Sequence, residues 1–274
     1  MIYNLTLAVF SLIFGLITGS FLNVCVYRIP AGKSIVYPNS ACPSCGTNIK
    51  WYHNIPVFSY IFLLGRCAYC GKKISIRYPV VEMLNAVLYL AAFAVYGLSY
   101  DMFFVWIFMS GMIVISLIDI DTQDVYYSTV IPLIITGILW GALSPSKNVW
   151  LSLTGGGAAA ISLIAVTAVF YAVTGKIGMG AGDTLIFAAV GTHVHLFFLP
   201  YVLLLASVSG MIFYAVAKIV FRRDKIAGNI RESDLKTDKS EDLERAIYFG
   251  PFLAFGGAVF VLVPYELFEL FILG

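Results

Sequence analysis

The sequence is poor in charged residues. Only 12% of its 274 residues are Asp, Glu, Lys or Arg, roughly half the share found in soluble domains. By contrast, 60% are hydrophobic, and the mean hydropathy is +0.91. This composition excludes a disordered chain, a fibrous repeat and a secreted disulfide scaffold. It also excludes an ordinary water-soluble enzyme, so we expect an integral membrane protein.

The apolar residues are collected in long runs. A helix needs about 20 mostly apolar residues to cross a bilayer, and eight runs reach or approach this length. We therefore predict an all-α polytopic membrane protein with about eight transmembrane helices. The runs are Leu5–Val26, Val80–Tyr96, Met102–Ile118, Val125–Leu143, Leu151–Val173, Thr184–Phe198, Tyr201–Phe221 and Phe249–Phe271. No positive charge precedes the first run, so we interpret it as a retained span rather than a signal peptide.

Acidic residues are missing from segment 27–79, and this sets the orientation. The segment carries seven basic residues and no Asp or Glu, and loops rich in Lys and Arg stay in the cytoplasm. We therefore predict that 27–79 is cytoplasmic and that both termini lie outside. Alternation through eight spans makes the loops 119–124, 174–183 and 222–248 cytoplasmic as well.

The predicted organisation has three parts. Residues 1–26 form the first transmembrane helix, 27–79 a small cytoplasmic domain, and 80–274 a seven-helix membrane domain. Within the last part, 222–248 holds seven basic and seven acidic residues with few apolar ones. Such a composition favours a solvated, flexible linker or helix.

Four cysteines form two pairs with the same spacing. Cys42-Pro43-Ser44-Cys45-Gly46 is repeated as Cys67-Ala68-Tyr69-Cys70-Gly71, and 21 residues separate the pairs. The four thiolates of Cys42, Cys45, Cys67 and Cys70 can converge on one tetrahedral Zn²⁺. Two disulfides or four buried free thiols are the alternatives, and a cytoplasmic location disfavours the disulfides. Ligation by four thiolates leaves no open coordination site, so this metal is expected to be structural.

Acidic residues also stand at the ends of two predicted spans. Asp119, Asp121 and Asp124 follow the third run, and Asp183 precedes the sixth. Asp121 and Asp124 are expected to mark the water interface. Asp183 differs because it ends Gly178-Met179-Gly180-Ala181-Gly182-Asp183, in which three alternating glycines let backbones pack closely around a carboxylate at the lipid boundary. The spacing is not that of the dinucleotide-binding fingerprint.

Two such acids suit peptide hydrolysis by an aspartyl pair. One ionised carboxylate takes a proton from water, while the other, protonated, polarises the scissile carbonyl. Two nearby acids cannot both ionise cheaply, so they share one proton. The predicted topology puts Asp119 and Asp183 at cytoplasmic helix ends, which is a necessary condition for such a pair.

The sequence resembles the type IV prepilin peptidase family over well over half of its length. The matching segments, in chain order, are Gly19-Ser20-Phe21-Leu22-Asn23-Val24, Tyr27-Arg28-Ile29-Pro30, Ser40-Ala41-Cys42-Pro43-Ser44-Cys45, Asn54-Ile55-Pro56-Val57-Phe58-Ser59-Tyr60, Gly65-Arg66-Cys67, Ile74–Glu82, Leu117-Ile118-Asp119-Ile120-Asp121, Thr174–Asp183 and Phe249-Gly250-Pro251-Phe252-Leu253-Ala254.

The resemblance implies a bifunctional enzyme. Family members are GxGD-type aspartyl proteases with a cytoplasmic zinc domain, and the catalytic pair falls here on Asp119 and Asp183. They cleave the basic leader of type IV prepilins or type II secretion pseudopilins at the cytoplasmic face of the bacterial inner membrane. They then methylate the new N-terminus with S-adenosylmethionine. The implied partners are these substrates and the lipid bilayer, with no nucleic acid.

The methyl-donor site is less defined by the sequence. Residues 27–82 offer a sizeable folded cytoplasmic surface beside the membrane, so we expect the donor there, with Arg28, Arg77 and Glu82 as candidate contacts. In the alternative interpretation Glu82 caps the second span and the arginines are orientation charges. The sequence also departs from the family, because Tyr126-Tyr127 stands in place of the usual Pro-Asp and Tyr248 in place of a usual Pro.

Two other function classes use some of the same features. A transporter or channel with proton-relay aspartates would also carry acids in a membrane bundle, but near the middle of its spans and without a four-cysteine motif. A membrane-anchored zinc adaptor would explain Cys42–Cys70 and leave Gly178–Asp183 without a role.

Overall fold

The computed structural model describes residues 2–145, 147–175, 179–226 and 248–263. The regular structure in these residues is helical, as predicted. The α-helices are α1 Ile2–Arg28, α2 Phe58–Phe62, α3 Arg77–Tyr96, α4 Tyr100–Thr122, α5 Tyr127–Leu143, α6 Val149–Thr174, α7 Ala181–His193, α8 Leu199–Ile226 and α9 Gly250–Val261, and short 3₁₀ helices cover Trp51–His53 and Leu196–Phe198.

Five helical segments are long and apolar enough to cross a membrane: Asn4–Arg28, Arg77–Tyr96, Tyr100–Thr122, Val149–Thr174 and Leu196–Ile219. Two shorter apolar helices, α5 and α9, match the fourth and the last of the predicted runs. Residues 264–271 of the last run and most of the charged segment 222–248 lie outside the described residues.

The sixth predicted run is not one helix. Within Thr184–Phe198, α7 ends at His193, and a 3₁₀ turn then leads into α8. The 13 residues of α7 rise only about 20 Å, less than the roughly 30 Å of a bilayer core. The buried Lys147 explains the end of the helix, because its ammonium group donates to the His193 carbonyl and lies 3.5 Å from the ring centre of Trp140. A cation at a helix C-terminus satisfies the carbonyls that the helix leaves free.

Helix α4 forms the centre of the bundle. Its buried side chains reach both hydrophobic cores, one shared with α5, α7 and α9 and the other shared with α1 and α3. Helices α1 and α3 meet at small residues, since a Cβ on Gly15 or Gly19 would lie within 2.7 Å of a Cα atom of α3. Such close packing is how helices associate in lipid, where hydrophobic burial between them contributes little. The result is a rigid frame on both sides of the end of α4.

Candidate active site and four-cysteine cluster

Asp119 lies in the last turn of α4. The helix ends at Gln123, which has a left-handed backbone (φ 60°) and donates its amide to the Asp119 carbonyl. The Asp119 side chain is only 7% exposed. Among the described residues its Oδ2 atom has no hydrogen-bond partner. A buried carboxylate oxygen without a partner is costly in a purely structural role, which marks this residue as a functional candidate.

Asp183 lies in the first turn of α7. Its half-buried carboxylate accepts a hydrogen bond from the Gly180 amide at 3.3 Å, as helix-capping acids do. A Cβ on Gly182 would lie 2.5 Å from Val125 Cγ2, so only glycine lets the start of α7 pack onto the segment that follows α4. Steric packing therefore explains the glycine at position 182 of the motif. Gly178 lies outside the described residues.

The ends of α4, α7 and α9 converge on the two acids. If Gly250 carried a Cβ atom, that atom would lie 2.5 Å from Asp119 Oδ2 and 3.0 Å from Ile186 Cδ1. Ile186 follows Asp183 by one helical turn, and the charge of Asp183 acts electrostatically on Asp119. Two carboxyl groups in such an environment favour a state in which one is ionised and the other protonated. This is the arrangement that general acid and base chemistry on one carbonyl requires.

The neighbouring acids are placed differently. Asp121 is half exposed and forms an ion pair with Arg77, whose Nη1 lies 2.7 Å and 2.8 Å from the two carboxylate oxygens. The same guanidinium donates to the Leu117 carbonyl at 3.4 Å. Asp124 is exposed. Of the four acids singled out in the sequence, Asp119 is the one that is buried.

The two cysteine pairs form two nearly identical loops. The Cys42 amide donates to the Thr47 carbonyl and the Cys67 amide to the Lys72 carbonyl, at 3.0 Å and 2.9 Å. The glycine after each second cysteine has a left-handed backbone, with φ of 69° at Gly46 and 70° at Gly71. The repeat seen in the sequence is therefore a structural repeat, and it closes the two loops face to face.

The four thiols of the pairs form a cluster that could bind a metal ion. Their Sγ atoms all lie within 4.8 Å of one another, and Cys42 and Cys70 are 4.0 Å apart. Thiolates around a tetrahedral zinc lie about 3.8 Å apart, given Zn–S bonds of about 2.3 Å. All four are free thiols, as is the buried Cys25, so the alternative of two disulfides is not present. Cys45 and Cys70 are exposed, so the four are not all buried thiols either.

The electrostatics of the cluster also suit a cation. Hydrogen bonding by Thr47 lowers the pKa of Cys45 to about 6. The backbone amides of Cys70 and Tyr69 lower the pKa of Cys67. The Lys72 amide acts to lower the pKa of Cys70, but desolvation and the neighbouring thiols together outweigh this effect and raise that pKa to about 11. Gathering four thiolates is unfavourable without a positive charge between them, and a divalent metal would supply that charge.

A cavity of about 550 Å³ lies between the C-terminal end of α1 and the cysteine loops. Arg28 and Glu82 line it, but Arg77 is not among its lining residues. The Glu82 side chain is 7% exposed, and its Oε2 accepts a hydrogen bond from the Val57 amide at 2.7 Å. Arg28 donates to the Ser34 and Pro38 carbonyls and so holds the loop on the rim of the cavity.

Sequence reasoning missed the contribution of α9 to the site. The start of that helix was visible as part of a resembling segment, but nothing in the sequence indicated that residue 250 would touch a residue 131 positions earlier (250 − 119). The ion pair of Arg77 with Asp121 was missed as well. The available signal for this ion pair was that a basic and an acidic residue stand next to two different predicted spans.

Comparison with known proteins agrees with these features. Residues 13–96 match the family model "Bacterial Peptidase A24 N-terminal domain", and residues 106–215 match "Type IV leader peptidase family". A protein of Neisseria gonorrhoeae named "Prepilin leader peptidase/N-methyltransferase" is 34% identical over 243 residues, covering 77% of this chain and 80% of the relative. Proteins of the same name from Pseudomonas putida and Pseudomonas aeruginosa are 33% and 31% identical, covering 95% and 92% of this chain and 91% and 89% of the relatives. No solved structure matches. This multi-pass membrane protein therefore belongs to the bacterial type IV leader peptidase family, A24.

Proposed function

We propose that this protein removes the leader peptide of type IV prepilins or pseudopilins with Asp119 and Asp183 as its catalytic pair. The convergence of α4, α7 and α9 on these two acids carries the proposal. The ionised member of the pair takes a proton from the attacking water, and the protonated member donates to the carbonyl oxygen of the scissile bond. In the following step the acid that gained the proton passes it to the leaving amine, and the other acid takes a proton back from a hydroxyl of the tetrahedral diol as it collapses to the new carboxyl group, which restores the pair.

The site is suited to a substrate that is half in the membrane. Asp119 lies at one end of a helix long enough to cross the bilayer. A prepilin presents a basic leader in the cytoplasm and an apolar helix in lipid, so its scissile bond has to be cut at this boundary. Exposed Asp124 adds a negative charge beside the site, which attracts a basic leader modestly.

Leader cleavage by purified protein in detergent tests the pair. We expect Asp119→Asn and Asp183→Asn each to abolish cleavage, because an amide can neither take the proton from water nor share one. The double variant is expected to be no worse than either single variant, since the two acids act as a unit. Asp124→Asn is the matched control and should cleave normally. Cleavage by folded Asp119→Asn protein at the wild-type rate would refute the assignment.

For the methyl donor, we propose the cavity beside the cysteine loops. Its volume of about 550 Å³ is in the usual range of small-molecule sites. Glu82 is the one acid among its lining residues, and Arg28 contributes a cation, so a cationic group and the carboxylate of the donor each have a counterpart. The Arg77 guanidinium binds Asp121 instead, and we assign it a role in holding α4.

Donor binding and donor use can be measured separately from cleavage. Glu82→Gln keeps an oxygen for the Val57 amide but removes the charge. We expect it to weaken S-adenosylmethionine binding by calorimetry and to lower methylation of a pre-cleaved pilin. Leader cleavage should continue. Normal donor affinity in the folded variant would exclude Glu82 as a contact.

We further propose that the cysteine cluster holds one structural zinc ion per chain. Four thiolates fill a tetrahedral site, so the metal has no open position for catalysis and instead holds the two loops that wall the cavity. The proposed membrane arrangement has eight spans with both termini outside and the acids on the cytoplasmic side. The high positive charge of 27–79 supports this orientation.

Two other functions would be separated from this one by the same assay. A proton-coupled transporter or channel would place its acids near mid-span, whereas Asp119 lies in a last helical turn. A zinc adaptor would bind metal and cleave nothing. Release of the leader and transfer of a labelled methyl group by purified protein would exclude both.

A further inference from the structure

The first residue of α9 lies directly against the Asp119 carboxyl group. A Cβ on Gly250 would lie 2.5 Å from Asp119 Oδ2 and 3.2 Å from Asp119 Cγ. Non-bonded carbon and oxygen atoms do not approach to 2.5 Å, so the contact exists only because residue 250 has no side chain. Glycine is the residue that permits this approach of backbone to carboxylate.

The same position also touches the helix that carries the second acid. The Gly250 Cβ point lies 3.0 Å from Cδ1 of Ile186, one turn after Asp183 on α7. Residue 250 is therefore enclosed by α4 on one side and α7 on the other. A Cβ added there would displace the Asp119 carboxyl group and the end of the Ile186 side chain.

The start of α9 sets the position of the Asp119 carboxyl group. The Gly250 backbone amide acts on this carboxyl group as a hydrogen-bond donor, as the free amides of a helix N-terminus do. Within the described ranges, the buried Oδ2 has no partner that meets full hydrogen-bond geometry. The location of the carboxyl group therefore depends on how closely residue 250 approaches it.

We propose that Gly250 is a positioning residue for leader cleavage, which sets the location of the Asp119 carboxyl group relative to Asp183. This inference rests on the proposed role of the two acids. Proton transfer and attack require alignment to within a fraction of an ångström, and a misplacement of about 1 Å can lower a rate by about 100-fold. In this proposal Gly250 does not contact the substrate and acts only through the position of Asp119.

The test is the Gly250→Ala variant in leader cleavage with purified protein. We expect kcat to fall by about 100-fold, while KM for the prepilin changes by no more than about twofold, because binding of the substrate is not altered. Methylation of a pre-cleaved pilin should stay normal and serves as the measure of an intact fold. A loss confined to KM, or wild-type cleavage, would overturn the proposal.

Gly257→Ala is the matched control on the same helix. Its Cβ would lie 2.9 Å from Val190 Cγ2, a comparably close contact that is remote from the two acids. We expect this variant to keep wild-type kcat. If it loses as much kcat as Gly250→Ala, the loss comes from general packing of α9, and the positioning role is wrong.

A double variant separates the two contacts of residue 250. Ile186→Val removes Cδ1 and so relieves the contact with α7, while the contact with Asp119 remains. We expect Gly250→Ala with Ile186→Val to be folded and still low in kcat, which also provides the test if the single variant does not accumulate. Recovery of kcat in the double variant would assign the effect to Ile186 and refute the proposal.

Failure of this inference can be distinguished from failure of the proposed function. If Asp119→Asn abolishes cleavage but Gly250→Ala does not affect it, the acid pair stands and only the positioning role falls. If folded Asp119→Asn cleaves normally, the assignment of the pair itself is wrong.

Discussion

The ion pair between Arg77 and Asp121 is expected to stabilise α4, which carries the proposed catalytic Asp119, without taking part in the reaction. One guanidinium nitrogen contacts both carboxylate oxygens, and the side chains are 36% and 39% exposed. A pair this exposed contributes about 0.2–1 kcal/mol, and the cation adds about 0.3–1 kcal/mol at the C-terminal end of α4 through the Leu117 carbonyl. Together these effects are worth about 1 kcal/mol, or about fivefold in a rate if fully expressed at the active site.

A double-mutant cycle on leader cleavage tests this estimate. Arg77→Gln and Asp121→Asn should each lower kcat/KM by no more than about fivefold, and the double variant should resemble the worse single variant because the two changes remove one interaction. The effect should shrink in high salt, which screens exposed charges. Asp124→Asn is the control. If Asp121→Asn is as damaging as Asp119→Asn, the catalytic pair is misassigned.

Three further outcomes follow from the structure. Metal analysis should find about one zinc per chain, and Cys45→Ser but not the buried Cys25→Ser should lower zinc content and destabilise the two cysteine loops; folded, active, metal-free protein would contradict this. In intact cells, an impermeant thiol reagent should label Trp150→Cys, at an exposed position next to the predicted outer loop. The same reagent should reach Lys50→Cys only after permeabilisation. Labelling at position 50 in intact cells would mean that the orientation is the reverse of the predicted one. Asp183→Asn protein should still methylate a pre-cleaved pilin, because aligning an amine with a methyl donor does not need the acid pair, whereas loss of both activities in folded protein would mean a shared site.

Much of the fold could be predicted from local composition. The third run, Met102–Ile118, predicted α4 at Tyr100–Thr122, because a continuous apolar stretch has no alternative in lipid to satisfying its backbone within a helix. The spacing of the cysteines predicted their cluster, since each Cys-x-x-Cys-Gly loop is a self-contained turn that directs two thiols the same way. These features depend on neighbours within a few residues.

Hydrophobicity alone did not predict where α7 stops. The apolar run continues to Phe198, yet the helix ends at His193, whose carbonyl accepts a hydrogen bond from the Lys147 ammonium in the loop between α5 and α6. That cation lies 46 residues away in sequence (193 − 147). Only the packing of α5, α6 and α7 brings this buried lysine to the helix end.

The sequence by itself determined which groups are available: apolar spans, four thiols at metal-binding spacing, and two acids at span ends, one of them after a run of alternating glycines. Only the tertiary structure decided how these groups meet. It buried Asp119 while leaving Asp124 exposed, paired Asp121 with Arg77, and brought Gly250 against the Asp119 carboxyl group. The physical reason is that burial and contact between helices depend on which helix faces pack together. In lipid, apolar residues do not favour one face over another, so the packing depends on small residues and on close fit between segments that are distant in sequence.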